Sequence, residues 1–78
     1  MNKILIDSSK LVQIDYTNWE GVRSIRNIKP KFIYFGHTKL HKEDQWILKA
    51  YDVDKQDWRR FPLANIHEWL KPEVPIEG

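Results

Sequence analysis

Residues 45 to 63 read QWILKAYDVDKQDWRRFPL, and the fold turns on how this stretch is divided. Trp46, Leu48 and Ala50 alternate with Ile47, Lys49 and Tyr51, the two-residue period of a β-strand. Residues 52 to 57, DVDKQD, carry turn chemistry, and Trp58 to Pro62 supply a return strand. On that strand Trp58 and Arg60 face one way and Arg59 and Phe61 the other, so two adjacent arginines diverge between a tryptophan and a phenylalanine.

Working toward the N-terminus, Val12, Ile14 and Tyr16 alternate with Gln13, Asp15 and Thr17, which predicts a half-buried strand over residues 11 to 17. Asn18-Trp19-Glu20-Gly21 offers two residues that tolerate positive φ, so the chain is expected to turn back antiparallel into residues 22 to 28. Pro30 removes a ladder donor, and residues 31 to 35 form a third strand, separate from the second or continuous with it, ending at Gly36. Residues 36 to 44, GHTKLHKED, show no period and read as a loop. Beyond Pro62, the spacing Leu63, Ile66, Leu70 predicts a short helical turn stopped by Pro72 and Pro75. About five short antiparallel strands with one helical turn near the C-terminus predict a small all-β barrel, whose closure would also remove exposed strand edges. The expected domain is residues 11 to 70, with residues 1 to 10 a lead-in and residues 71 to 78 a flexible tail.

Composition bounds what such a domain can do. At 78 residues there is room for one core, and four Trp, three Tyr and three Phe are the means of stabilising it. Each ring contributes on the order of 2–3 kcal/mol when fully buried. Thirteen Lys/Arg against eleven Asp/Glu leave a net charge of +2, so an anion site must be local rather than a property of the whole surface. No cysteine is present, which excludes a disulfide framework and a thiolate zinc site and makes a cytoplasmic setting the expectation. The N-terminal MNKILID lacks the apolar run of a signal peptide, and no segment approaches the roughly 20 apolar residues of a membrane span.

The chemistry-bearing clusters are few. His37 and His41 have the spacing of two ligands on one helix face, but they lie in a loop, so no metal site is expected. Asp52, Asp54 and Asp57 fail as a calcium loop, because Asp57 stands where glycine is required and Leu63 where glutamate is required. No nucleophile turn or glycine-rich phosphate loop occurs, and neither enzymatic activity nor a cofactor is expected. The arginines remain. Arg23 and Arg26 lie on the second strand and Arg59 and Arg60 on the last, near Tyr16, Trp19, Tyr51 and Trp58; planar guanidinium forks with aromatic rings can hold nucleic acid. The ordinary alternative makes them rim residues paired with Asp15, Glu20, Asp54 or Asp57, their stems covering the barrel wall.

Two blocks of this chain resemble the WYL domain. They are Tyr16-x-Asn18 with Gly21-x-x-Ser24-x-Arg26-x-Ile28-x-Pro30, and Trp46-Ile47-Leu48-x-Ala50-Tyr51-Asp52 with Arg59-x-Phe61-x-Leu63-x-x-Ile66. The resemblance spans residues 14 to 66 and is closest in style to short stand-alone bacterial and phage proteins of this type. Ile47 departs from the pattern, standing at the tyrosine position of the name motif and removing a hydroxyl that could face a ligand. The resemblance implies an SH3-like or Sm-like β-barrel and a sensory, regulatory or defence-associated module with a basic pocket for nucleic acid or a nucleotide-like ligand. Carried over by position, the ligand-binding candidates are Tyr16, Ser24, Arg26 and Arg59; Trp19 and Trp58 are, as aromatic rings of this chain, the stacking or interaction candidates. Arg23 and Arg60 are then solvated companions. The expected function is a non-enzymatic module that recognises single-stranded nucleic acid or a nucleotide-like anion. The alternative is a protein-interaction module using exposed rings at Trp19, Trp58 and Trp69, through self-association or docking into a larger complex.

Overall fold

Leu48, Ala50 and Asp52 are each completely buried, and the sheet is organised around the strand that carries them. The computed structural model describes residues 3–6, 10–40 and 42–70. Six strands form: β1 (Lys3–Leu5), β2 (Val12–Thr17), β3 (Arg23–Gly36), β4 (Gln45–Asp52), β5 (Asp57–Pro62) and β6 (Ile66–Leu70), with a 3-10 turn at Leu63–Asn65 between the last two. All pairings are antiparallel, in the order β5-β4-β3-β2-β6, and β1 pairs with β3 off that path. No helix among the described residues is long and apolar enough to cross a membrane.

The second and third strands expected from sequence are one strand, β3, fourteen residues long. Pro30 does not break it, because the β3–β4 register shifts between Pro30 and Phe32 and the ladder there is already irregular. This bulge changes which side chains face inward. Before it, Ile28 and Pro30 are buried opposite Asp52 and Ala50; after it, Ile33 lies opposite Leu48 and packs on the core.

The sheet curls strongly. Tyr16 on β2 and Phe61 on β5 meet edge to face with ring centroids 4.8 Å apart, although three interstrand steps of about 4.8 Å separate their strands, or ~14 Å in a flat sheet. Inside the curl sits one core of Ile14, Tyr16, Ile28, Leu48, Ala50 and Phe61, with Ile6, Val12, Ile33, Leu63 and Ile66 packed against it.

Two expectations need correction. The sheet is not closed into a barrel: among the described residues β5 pairs only with β4, and β6 only with β2. The helical turn over residues 63 to 70 is instead a single 3-10 turn followed by β6, because Ile66 to Leu70 can satisfy their backbone groups against the otherwise open edge of β2. The lead-in contains β1, which pairs through Lys3, Ile4 and Leu5 with Tyr34, Ile33 and Phe32. The tail expected from residue 71 onward lies outside the described residues.

Candidate functional site

β5 is an edge strand, and its residues Trp58, Arg59, Arg60 and Phe61 all border one cleft of about 560 Å³. Consecutive strand residues point to opposite faces, so a cleft touched by four in a row follows the free edge itself. It lies between β5 and the β2–β3 hairpin. Tyr16, Asn18, Trp19 and Arg26 form the opposite wall, and Thr38, Lys39 and Leu40 of the β3–β4 loop approach from above.

The hairpin tip is held by Asn18. Its side-chain oxygen accepts from the backbone N–H groups of Glu20 and Val22, both at 2.9 Å, and Gly21 supplies the left-handed residue at φ 85°. This fixes Trp19 at the apex with 59% of its surface exposed. Trp58, on the facing wall, packs edge to face with Tyr51 at 5.4 Å and is approached by the ammonium groups of Lys31 at 5.1 Å and Lys49 at 5.8 Å. These neighbours orient the ring while leaving 46% of it exposed.

The two arginines selected from sequence border the same cleft in different states. Arg26 donates through Nε to Ser24 Oγ at 2.9 Å and through Nη1 to Asp52 Oδ2 at 3.0 Å, and its guanidinium lies 5.7 Å from the Tyr16 ring centre. Asp52 is completely buried, and its other oxygen accepts from the N–H groups of Asp54 and Lys55, which shapes the β4–β5 turn. Part of Arg26 is therefore committed to the fold. Arg59 is much freer: its one ion pair among the described residues, with Asp57, is 4.0 Å long and exposed, a geometry that contributes almost nothing to stability. Ser24 does not line the cleft; it holds Arg26 from behind. Tyr16 does line it, and burial raises its phenol pKa against the opposing pull of Arg26.

The cleft's charge is one-sided. Among the described residues its lining includes Arg26, Lys39, Lys49, Arg59 and Arg60, and no aspartate or glutamate. Lys39 and Lys49 carry no signal in the sequence, and Arg60, expected to be a solvated companion, lines the cleft as well. No motif marks the lysines, since a long loop and the curl of the sheet bring them in. Arg23 is a true rim residue: it grips Asp15 with two hydrogen bonds of 2.8 Å, which lowers the Asp15 pKa and raises its own.

The other clusters are occupied by internal contacts. His37 bonds Asp44 at 3.0 Å, and His41 lies outside the described residues. Asp52 caps its turn, Asp54 accepts from Asn27 at 2.8 Å, and Asp57 accepts from the Trp58 N–H. Ile47 is completely buried opposite Tyr34 and Pro62 and does not reach the cleft, so the residue at this motif position serves packing. Trp69 is 42% exposed on β6, away from the cleft.

A family model described as WYL domain matches residues 5–70 of the chain. No curated protein and no solved structure matches it.

Proposed function

The chain belongs to the WYL domain family, and from that premise we propose that it is a non-enzymatic regulatory module whose cleft takes single-stranded nucleic acid or a nucleotide-like anion. One observation carries the reading: among the described residues, five cationic side chains and no carboxylate line a cleft that also exposes Trp19 and Trp58. Guanidinium forks match phosphate oxygens, and aromatic faces accept bases of any sequence. The described lining residues include neither imidazole nor carboxylate to move a proton, which favours binding over catalysis. Arg59 is the primary anion contact, Arg26 a buttressed second donor, and Tyr16 the floor beneath it.

The curled sheet is best understood as an open SH3-like barrel, a reading supported by its strand order and by the 3-10 turn ahead of the last strand. A cytoplasmic bacterial or phage role in regulation or defence is the setting that suits such a module. Docking of a protein partner is the second reading. It is favoured by exposed rings away from the cleft, namely Trp69 and the edge-to-face pair Phe35 and Trp46 at 5.3 Å.

Amide-shift titration with a mononucleotide and a short oligonucleotide tests the proposal. Residues 24 to 26 and 58 to 60 should respond together, and Arg59→Ala should weaken binding about 10- to 100-fold, the loss of one charge-assisted hydrogen-bonding group. Shifts confined to the turn around Trp19, or an Arg59→Ala variant that binds like the parent protein, would overturn it. Shifts at Trp69, Phe35 and Trp46 on addition of a protein partner would favour the second reading.

A further inference from the structure

Cations continue past the cleft just described. A second basin of about 550 Å³ is lined by Tyr34, His37, Thr38, Lys39, Lys42 and Arg60, and it shares Thr38, Lys39 and Arg60 with the first. No carboxylate lines it among the described residues; Asp44 bonds one of its lining residues, 3.0 Å from His37 Nδ1. Arg60 and Lys39 stand on the divide between the two, and neither has an ion-pair partner among the described residues.

We propose that the two basins are successive seats for one strand, so that the ligand is a single-stranded nucleic acid rather than a lone nucleotide. Its backbone would pass from Arg59 across Arg60 and Lys39 to Lys42. This inference rests on the anion-binding reading above and specifies its ligand. A mononucleotide is a drug-sized molecule, and one open basin of this volume has room to seat a ligand of that size. It would leave the second basin empty and the cations on the divide half used. A chain of phosphates uses both. A duplex is disfavoured because its stacked bases could not reach Trp19 and Trp58, which stand exposed at the first seat for splayed bases. The same rings favour a nucleic acid over an acidic peptide.

The two seats are separable by substitution. Lys42 is exposed in the β3–β4 loop and lines only the second basin, whereas Arg59 lines only the first. Thymidine monophosphate, oligothymidylates of increasing length and a polyglutamate peptide are the probes, titrated against the full chain by fluorescence anisotropy at several salt concentrations. Affinity should rise with oligomer length. Lys42→Ala should leave the mononucleotide affinity unchanged, weaken the longer oligomer by about tenfold, and reduce the magnitude of the slope of log affinity against log salt by about 0.7. Arg59→Ala should weaken both ligands. Affinity that does not grow with length, or a Lys42→Ala variant equal to the parent on the long oligomer, would overturn the two-seat proposal while leaving the first cleft's role intact. Indifference of every ligand to Arg59→Ala would remove the underlying reading instead. Polyglutamate binding as tightly as the oligomer, with the same loss in Lys42→Ala, would reassign the track to an acidic peptide.

Discussion

At the scale of single residues, Arg26 and Arg59 show how the same side chain takes different work from its surroundings. Arg26 faces Asp52, a carboxylate with no exposed surface, so its guanidinium compensates a buried charge before it can serve any ligand. Arg26→Ala should therefore destabilise the fold by about 3–5 kcal/mol, because the carboxylate is left buried without its partner. Urea unfolding followed by tryptophan fluorescence measures this directly. Pairing it with Asp52→Asn should recover much of the loss, since the uncharged amide oxygen can still accept from the turn. Arg59, with its long exposed contact to Asp57, should be replaceable at little cost in stability. A binding defect in Arg59→Ala can thus be read as a binding defect, whereas one in Arg26→Ala cannot.

At the scale of elements, the bulge in β3 decides which rings face the core. Residues before it follow one parity and residues after it the other, so a continuous strand of fourteen residues serves two registers. A slip of one residue sends every following side chain to the opposite face. Inserting one alanine between Phe32 and Ile33, where the ladder is regular, should therefore put the alanine opposite Leu48 and turn Ile33 out of the core. Loss of near-ultraviolet circular dichroism with retained β-sheet signal is the expected result, because the strands would persist while the packing would not. The alternation within β2, β4 and β5 was legible beforehand because it depends only on chain neighbours. The bulge was not, since Pro30 reads as an interruption until the irregular ladder opposite Ala50 accommodates it. β6 was hidden for a related reason: its helix-like spacing is overridden by the open edge of β2.

At the scale of the whole molecule, the curl that brings Tyr16 onto Phe61 both closes the core and leaves the cleft beside it. Phe61→Ala should cost about 3–5 kcal/mol through the cavity it opens. Small domains have only several kcal/mol in total, so thermal unfolding should fall close to ambient temperature. A melting transition that barely moves would show that the curl is held elsewhere. The sequence by itself determined the all-β class, the turn at Asn18 to Gly21, the divergence of Arg59 and Arg60, and the aromatic positions, all of which are local properties of alternation and turn chemistry. Only the tertiary structure decided that the sheet stays open between β5 and β6, that Asp52 takes Arg26, and that Lys39, Lys49 and Arg60 join Arg59 along one edge. Those features depend on how far a twisted sheet bends and where a loop comes to rest upon it. Contacts between distant parts of the chain set both, and no residue's immediate neighbours encode them.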